Sequence, residues 1–197
     1  DREPRHSKKV LKGVYKTIAA EDKVAFWGGG IYNWLDPLTL IRAMPKVIER
    51  RAEVKVFFAG IKHPNPYVFE DRMCLEALQL SKDLGLYDSH VFFNEWVPYE
   101  ERENYLLEAD VGLSLHLDHV ETRYAFRTRI LDYIWTGLPI IATEGDIAAE
   151  LIQCYDLGRV VGYRDIDGVA GALLELLAVP DLRSQYRACF APLVDCY

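Results

Sequence analysis

The chain has 197 residues, half of them apolar, and a formal net charge of -7 at neutral pH. This length suits one good-sized domain or two very small ones, and the apolar fraction excludes a disordered chain. The acidic balance argues against a general nucleic-acid-binding protein, which would present a basic surface.

Four cysteines are scattered along the chain without forming a C-x-x-C pair. Such spacing predicts free thiols in a reducing compartment, and we therefore expect a cytoplasmic protein. No apolar run approaches the roughly 20 residues that a membrane span requires.

Residues 1–22 are predicted to form a linker with a short helix, and residues 23–197 a single domain. The first 16 residues carry six Lys or Arg and two acidic residues. A solvated linker is favoured over a binding arm for this basic start.

From residue 23 onward, short apolar runs alternate with amphipathic stretches. The predicted strands are Val24–Trp27, Val54–Ala59, Val91–Phe93, Val111–Leu115, Leu138–Ala142 and Arg159–Val161. The predicted helices are Pro37–Arg50, Tyr67–Leu84, Tyr99–Glu108, Thr128–Thr136, Ile147–Cys154 and Ile166–Leu177, with another after Pro180. Strict β–α alternation with apolar strands predicts an α/β fold, a doubly wound, Rossmann-like, six-stranded parallel sheet.

The commonest order for such a sheet, 3-2-1-4-5-6, makes strands 1 and 4 neighbours. Ligands bind in the crevice outside the carboxyl ends of these two strands. The loops that follow them, Gly28–Asp36 and His116–Arg127, are the most unusual in the sequence. We therefore expect both loops to flank one binding crevice.

Three glycines, Gly28, Gly29 and Gly30, end the first strand and allow a ligand to approach the backbone closely. The dinucleotide pattern G-x-G-x-x-G is not met, because Asn33 stands at its last position, and this disfavours an NAD site. The alternative is a structural turn in which glycine only permits tight packing. For Asn33 and Trp34, ligand contact and packing are equally good interpretations.

Arg123, Arg127 and Arg129 crowd the start of a helix that carries Asp132. Arginines and free N–H groups at a helix start bind phosphates, and carboxylates accept hydrogen bonds from sugar hydroxyls. The alternative is a charged helix start that serves solubility, and Arg129 alone could face solvent. His116 and His119 have poor spacing for zinc and no completing ligand, so no metal is expected.

This segment resembles the donor-binding signature of the retaining glycosyltransferase group 1 (family 4, GT-B fold). Tyr124-Ala125-Phe126-Arg127 falls on the family's Glu-Gly-Phe-Gly, and Asp132 falls on its second Glu. Thr136-Gly137-Leu138-Pro139 matches the small-Gly-x-Pro turn that follows. Two positions depart from the pattern: the first acid is a tyrosine here, and the second glycine is Arg127.

The resemblance implies roles for particular residues. Asp132 would bind the ribose hydroxyls, and Glu121 would grip the hexose unless that contact is lost. The glycine loop would lie beneath the diphosphate, with nearby arginines replacing the Arg and Lys that the family loop usually supplies. The implied catalytic residues are Glu121 and Arg127. The implied donor-binding residues are Gly28, Gly29, Gly30, Asn33, Trp34, Trp96, Val97, Arg123, Tyr124, Ala125, Phe126, Thr128, Arg129 and Asp132.

The resemblance further implies transfer of a sugar from a nucleoside-diphosphate sugar to an acceptor, with retention, in polysaccharide or glycoconjugate synthesis. This chain would be the donor-binding half, inactive without an N-terminal acceptor domain that it lacks. The implied partners are the nucleotide-sugar donor and that domain, and neither nucleic acid nor a cofactor is expected. The resemblance also allows the full-length protein to associate peripherally with a membrane. The alternatives are half of a sugar-nucleotide 2-epimerase-like enzyme and a non-catalytic ligand-sensing or interaction domain.

Overall fold

A computed structural model describes residues 3–65, 67 and 71–194. The strands are β1 (Lys23–Trp27), β2 (Val54–Phe58), β3 (Val91–Phe93), β4 (Val111–Ser114), β5 (Ile140–Thr143) and β6 (Gly158–Val161). The helices are α1 (Pro37–Arg50), α2 (Arg72–Asp83), α3 (Arg102–Glu108), α4 (Val120–Tyr124), α5 (Arg129–Thr136), α6 (Ile147–Cys154), α7 (Ile166–Leu177) and α8 (Leu182–Val194).

All six strands form one parallel sheet in the order β3-β2-β1-β4-β5-β6. This confirms the predicted fold class and strand order. In the centre of the sheet, Trp27 at the end of β1 pairs with Phe58 of β2 and Leu113 of β4. The carboxyl ends of the central strands therefore meet at one edge, where their loops form a crevice.

Helices cover both faces of the sheet, which explains why its strands are apolar on both sides. One core cluster joins the sheet to α1, α2 and α7, with Met44, Ala77 and Leu173 buried in it. The other cluster joins the sheet to α3, α5, α6 and α8, with Leu106 and Ile134 buried in it. The sheet edge that carries the crevice is therefore supported by a packed core on each face of the sheet.

Several boundaries are as predicted, and others differ for local reasons. Helix α1 begins as expected, because the Asp36 carboxylate accepts a hydrogen bond from the Thr39 N–H at 3.0 Å. Strand β5 starts two residues later than predicted, because Gly137 ends α5 with a left-handed φ of 60°. Helix α4 was not predicted, and residues 99–101 form a 3-10 turn rather than the start of α3. Residues 68–70 of the predicted helix Tyr67–Leu84, and Cys196, lie outside the described residues.

The N-terminal segment differs from the solvated linker with a short helix that the sequence suggested. Its described residues, 3–22, contain turns and no helix, and Val10, Leu11 and Ile18 are buried against the domain. The Glu108 carboxylate at the end of α3 accepts hydrogen bonds from three successive backbone N–H groups of the segment, each at 2.8 Å. The segment is an arm that closes one face of the core, because its apolar side chains gain burial there.

Three lysines of this arm, Lys8, Lys12 and Lys16, are paired with acidic residues of the domain. Lys12 contacts the Asp110 carboxylate at 2.6 Å, and Lys16 contacts Asp88 at the same distance. These pairs offset part of the local excess of positive charge.

Candidate functional site

The loops after β1 and β4 lie side by side, as the strand order requires. The Asp36 N–H donates to the Leu115 carbonyl oxygen at 3.1 Å, and the Leu117 N–H donates to the Trp34 carbonyl oxygen at 3.0 Å. The rings of Trp34 and His119 stack with centroids 6.2 Å apart. The predicted meeting of the two loops is therefore confirmed.

A cavity of about 170 Å³ opens beside the glycine loop, at the carboxyl ends of β1 and β2. Five residues named from the sequence line it: Gly28, Gly29, Trp96, Val97 and Asp132. The other lining residues are Phe26, Ala59, Gly60, Tyr99, Arg102, Leu106 and Tyr133. Its wall is mostly apolar, with a few polar groups at the rim, as is usual in small-ligand sites.

Trp96 forms one wall of this cavity and depends on a glycine opposite. Gly60 and Trp96 form an isolated antiparallel bridge, and a Cβ atom on Gly60 would lie 2.8 Å from an indole carbon. Trp96 is about one-third exposed, so part of its side chain is open while the indole also packs against Gly60.

Asp132 projects from α5 toward the cavity and is fixed by Arg102 of α3. The Arg102 Nε donates to Asp132 Oδ1 at 3.1 Å, and its Nη1 donates to the Tyr99 carbonyl oxygen at 3.1 Å. The Asp132 side chain remains 38% exposed. One carboxylate oxygen is thus anchored while the group stays open to a ligand.

Tyr133 lies under the glycine loop and ties three elements together. Its hydroxyl oxygen accepts a hydrogen bond from the Gly28 N–H at 2.9 Å. It lies 3.0 and 3.2 Å from the carbonyl oxygens of Leu113 and Phe26, to which its single proton can donate. Burial raises the pKa of Tyr133 to about 12, so the hydroxyl keeps its proton at neutral pH.

Arg129 is half-buried, with its Nη1 atom fully buried, and places a cation directly beside the glycine loop. Its Nη2 donates to the Gly30 carbonyl oxygen at 3.2 Å, and its guanidinium lies 5.1 Å from the centre of the Trp27 ring. Its Nη1 is buried without a hydrogen-bond partner, and among the described residues no carboxylate pairs with it. Burial lowers the pKa of Arg129, and an unpaired buried cation of this kind is stabilised by an anionic ligand.

Arg127, in contrast, is held in a buried ion pair away from the cavity. Its Nη1 lies 3.1 Å from Asp146 Oδ2, and its Nη2 donates to the Thr122 carbonyl oxygen at 3.0 Å. His116 Nε2 lies 3.4 Å from the same Asp146 oxygen. The geometry favours a role in positioning the loops after β4 and β5 over the direct phosphate contact that the sequence suggested.

Two effects oppose each other at Asp146. Burial alone would raise the pKa of Asp146. The nearby His116 imidazole, the hydrogen bond from the Ala149 N–H and the Arg127 charge hold its pKa below the ordinary value. The carboxylate is therefore ionised, and it depends on its partners to remain so in a buried place.

The other residues named from the sequence do not line the cavity. Arg123 forms a two-bond pair with Asp118 on the surface, with both distances at 2.9 Å. Asn33 bonds Asp71 and the Met73 N–H, so it supports the start of α2. Gly30 and Trp34 lie half-buried in the loop after β1. The remaining ones lie exposed or half-buried around α4 and the start of α5: Glu121, Tyr124, Ala125, Phe126 and Thr128.

Sequence reasoning missed Arg102, Tyr99, Tyr133 and Gly60. A signal existed for Tyr133, because it lies four residues after Arg129 and so shares its helix face. Arg102 carried no such signal, since it reaches Asp132 across 30 residues of sequence.

Within the described residues, no three His, Cys, Asp or Glu side chains are grouped so that they could hold a metal ion. Among the helices of that same part of the chain, none combines the length and apolarity that crossing a membrane would demand.

The chain is similar to known proteins in both sequence and structure. The family described as "Glycosyl transferases group 1" matches residues 21–179. The GDP-mannose-dependent alpha-(1-6)-phosphatidylinositol monomannoside mannosyltransferase of Mycolicibacterium smegmatis is 29% identical over 150 residues, which cover 72% of this chain and 35% of that protein. The chain spans about a third of the length of the curated relatives it matches.

Two solved structures share the fold. The C-terminal domain of LpcC, a glycosyl transferase group 1 family protein from Francisella tularensis, aligns with a TM-score of 0.68 at 18% identity, covering 88% of this chain and 85% of that one. Anabaena HepE in complex with UDP aligns with a TM-score of 0.71 at 16% identity, covering 90% of this chain and 45% of that one. Because the family match extends over most of the sequence, this chain belongs to the glycosyl transferases group 1 family.

Proposed function

We propose that the chain binds a nucleoside-diphosphate sugar and, with an acceptor-binding domain, transfers the sugar with retention. The observation that carries this proposal is the Arg129 cation, whose buried Nη1 has no hydrogen-bond partner, beside a glycine loop and a cavity lined by the Asp132 carboxylate. These three features supply the groups that a diphosphate, a nucleoside and a ribose need in one crevice.

The nucleoside would occupy the cavity. Trp96, Val97 and Tyr99 form an apolar wall against which a base can pack, since bases and aromatic side chains attract through their faces. Asp132 at the rim would accept hydrogen bonds from the ribose hydroxyls. The Anabaena neighbour in complex with UDP supports such a ligand for a domain of this fold.

The diphosphate would lie over the glycine loop. Gly29 has a φ of 79°, which glycine adopts readily, and it leaves room for a phosphate close to the backbone. Arg129 Nη1 would then gain the anionic partner that it lacks. Arg127, whose direct contact the resemblance implies, would act by holding the neighbouring loops, because its guanidinium already bonds Asp146 and Thr122.

This arrangement suits departure of a diphosphate. The bond between the sugar carbon and the diphosphate oxygen breaks, and a bond to the acceptor oxygen forms on the same face of the sugar. The acceptor hydroxyl proton passes to the departing group. A fixed cation that meets the developing negative charge lowers the barrier to this step. Glu121, exposed in the first turn of α4, would contact the sugar.

The setting of the reaction follows as part of the proposal. We propose a cytoplasmic enzyme of polysaccharide or glycoconjugate synthesis that needs no metal and associates peripherally with membranes as a longer protein. The similarity to a phosphatidylinositol mannoside mannosyltransferase supports a glycoconjugate acceptor. The family match favours sugar transfer over the 2-epimerase and the non-catalytic alternatives.

A thermal-shift series with UDP, GDP, ADP and their sugar conjugates tests the proposal. A ligand at 100 times its Kd stabilises the folded state by about 2.7 kcal/mol. For a domain of this size, that corresponds to a rise in Tm of roughly 5–11 °C. Inorganic phosphate and free nucleosides serve as controls and should produce smaller shifts. No shift with any nucleoside diphosphate would refute the proposal.

A further inference from the structure

Arg102 lies between two aromatic rings at the edge of the cavity. Its guanidinium carbon is 3.7 Å from the centre of the Tyr99 ring and 5.1 Å from that of Trp135. Its Nη1 donates to the Tyr99 carbonyl oxygen, and its Nε donates to Asp132 Oδ1. The guanidinium is therefore fixed in plane and in direction before any ligand arrives.

Helix stability does not explain this arginine. Arg102 is the first residue of α3, where the partial positive charge of the helix N-terminus disfavours a cation. Its pair with Asp132 is partly exposed, with side chains 27% and 38% accessible, and such pairs contribute little to folding. The Arg102 charge thus slightly disfavours the start of α3, and its ion pair contributes little to the stability of the fold.

The hydrogen bond from Arg102 determines the orientation of the Asp132 carboxylate. An aspartate on an exposed helix face samples several rotamers, and a carboxylate must be held in one to receive two adjacent hydroxyls. Arg102 occupies one lone pair of Oδ1 and leaves Oδ2 and the second lone pair of Oδ1 available.

We propose that Arg102 is a positioning residue, which holds the Asp132 carboxylate in the orientation that selects ribose over 2′-deoxyribose in the donor nucleotide. This inference rests on the proposed donor-binding function. The rings of Tyr99 and Trp135 support this role, because they hold the plane of the Arg102 guanidinium.

Isothermal titration of the whole chain with UDP, GDP and their 2′-deoxy analogues tests the inference. The variants are Arg102→Gln, Arg102→Lys, Asp132→Asn and the double variant Arg102→Gln/Asp132→Asn. Arg159→Gln is the matched control, because Arg159 is likewise a partly exposed arginine that contacts a carboxylate at 2.6 Å and a tyrosine, but it lies on β6, away from the cavity. Circular dichroism melting checks that each variant folds.

Loss of one charge-assisted hydrogen bond predicts that the wild type prefers the ribose form by about tenfold or more. Arg102→Gln should reduce this preference by roughly threefold or more while changing the affinity for the deoxy form less than about twofold. Arg102→Lys should retain part of the preference, since it keeps a charge but loses the planar fork. In the Asp132→Asn background, removing Arg102 should change the preference no further, and Arg159→Gln should leave it intact.

Three results would overturn the inference. One is an unchanged sugar preference in Arg102→Gln, and another is an equal loss of affinity for both sugars, which would mean that Arg102 is only part of the wall. The third is equal binding of both sugars by the wild type, which removes the role of Asp132 but leaves nucleotide binding intact. If the wild type binds no nucleotide, the proposed function itself fails, and this inference fails with it.

Discussion

Replacing each of two neighbouring arginines by methionine should separate fold stability from diphosphate binding. Arg127 and Asp146 have side chains only 9% and 5% exposed and lie 3.1 Å apart. Removing one member of a buried ion pair costs about 3–5 kcal/mol, because the other charge is left without its partner. At about 2–4 °C per kcal/mol for a domain of this size, Arg127→Met should lower Tm by roughly 6–20 °C.

Arg129→Met should behave in the opposite way. Arg129 has no carboxylate partner among the described residues, so its removal leaves no unpaired acid behind. It loses one hydrogen bond and a ring contact but gains relief from burying a charge, so Tm should change by less than about 4 °C. Its affinity for UDP should fall by about 10- to 150-fold, the equivalent of about 1.5–3 kcal/mol, while uridine binding stays nearly the same.

Differential scanning calorimetry and titration calorimetry measure these two quantities on the same preparations. Lys62→Met, a change at an exposed lysine, serves as a control for loss of one positive charge. If Arg127→Met keeps its Tm and loses diphosphate affinity more strongly than Arg129→Met, the assignment of roles to the two arginines is wrong.

Three further changes probe the glycine loop, the cavity wall and the arm. Tyr133→Phe removes a buried hydroxyl that bonds the Gly28 N–H, and it should cost about 1–3 kcal/mol in urea unfolding; an unchanged midpoint would contradict the role of this hydroxyl. Gly60→Ala places a Cβ 2.8 Å from Trp96 and should weaken nucleoside binding more than phosphate binding, as seen by ligand-observed NMR; equal effects would argue against the indole as base wall. Burial acts to raise the pKa of Glu108, but hydrogen bonds from His6 and three arm N–H groups hold it below its ordinary value. Its contribution to stability is therefore fully present above about pH 4.3 and is lost as the pH falls through the folded-state pKa. The protection factor of the Lys12 amide, which corrects for the slower intrinsic exchange in acid, should fall at acid pH and in Glu108→Gln, and a protection factor that is equal at pH 7 and pH 3 would refute this anchor.

Much of the fold is readable from the sequence, because each element is encoded locally. The short, mostly apolar runs that became β1 to β6 and the Asp36-Pro37 start of α1 are short-range patterns. The strand order follows from right-handed crossovers and a common topology, so the meeting of the loops after β1 and β4 was also predictable.

The partner that each charged side chain takes was not predictable in this way. Arg127 and Arg129 are two residues apart on one helix start, yet one meets Asp146 and the other meets Gly30. Arg127 precedes α5, whereas Arg129 is its first residue, so the two side chains point in different directions.

The sequence by itself therefore determined the architecture and the meeting of the loops after β1 and β4. The tertiary structure decided which of the predicted residues open onto the cavity, as it also decided that Arg102 anchors Asp132 and that Glu108 holds an arm 96–98 residues away in the chain. The physical reason is that the patterns which encode helices and strands are local, whereas the contacts which build the site join residues far apart in the chain. Periodicity and capping act within a few residues, whereas ion pairs and hydrogen bonds depend on distances of about 3 Å that only the packed chain sets.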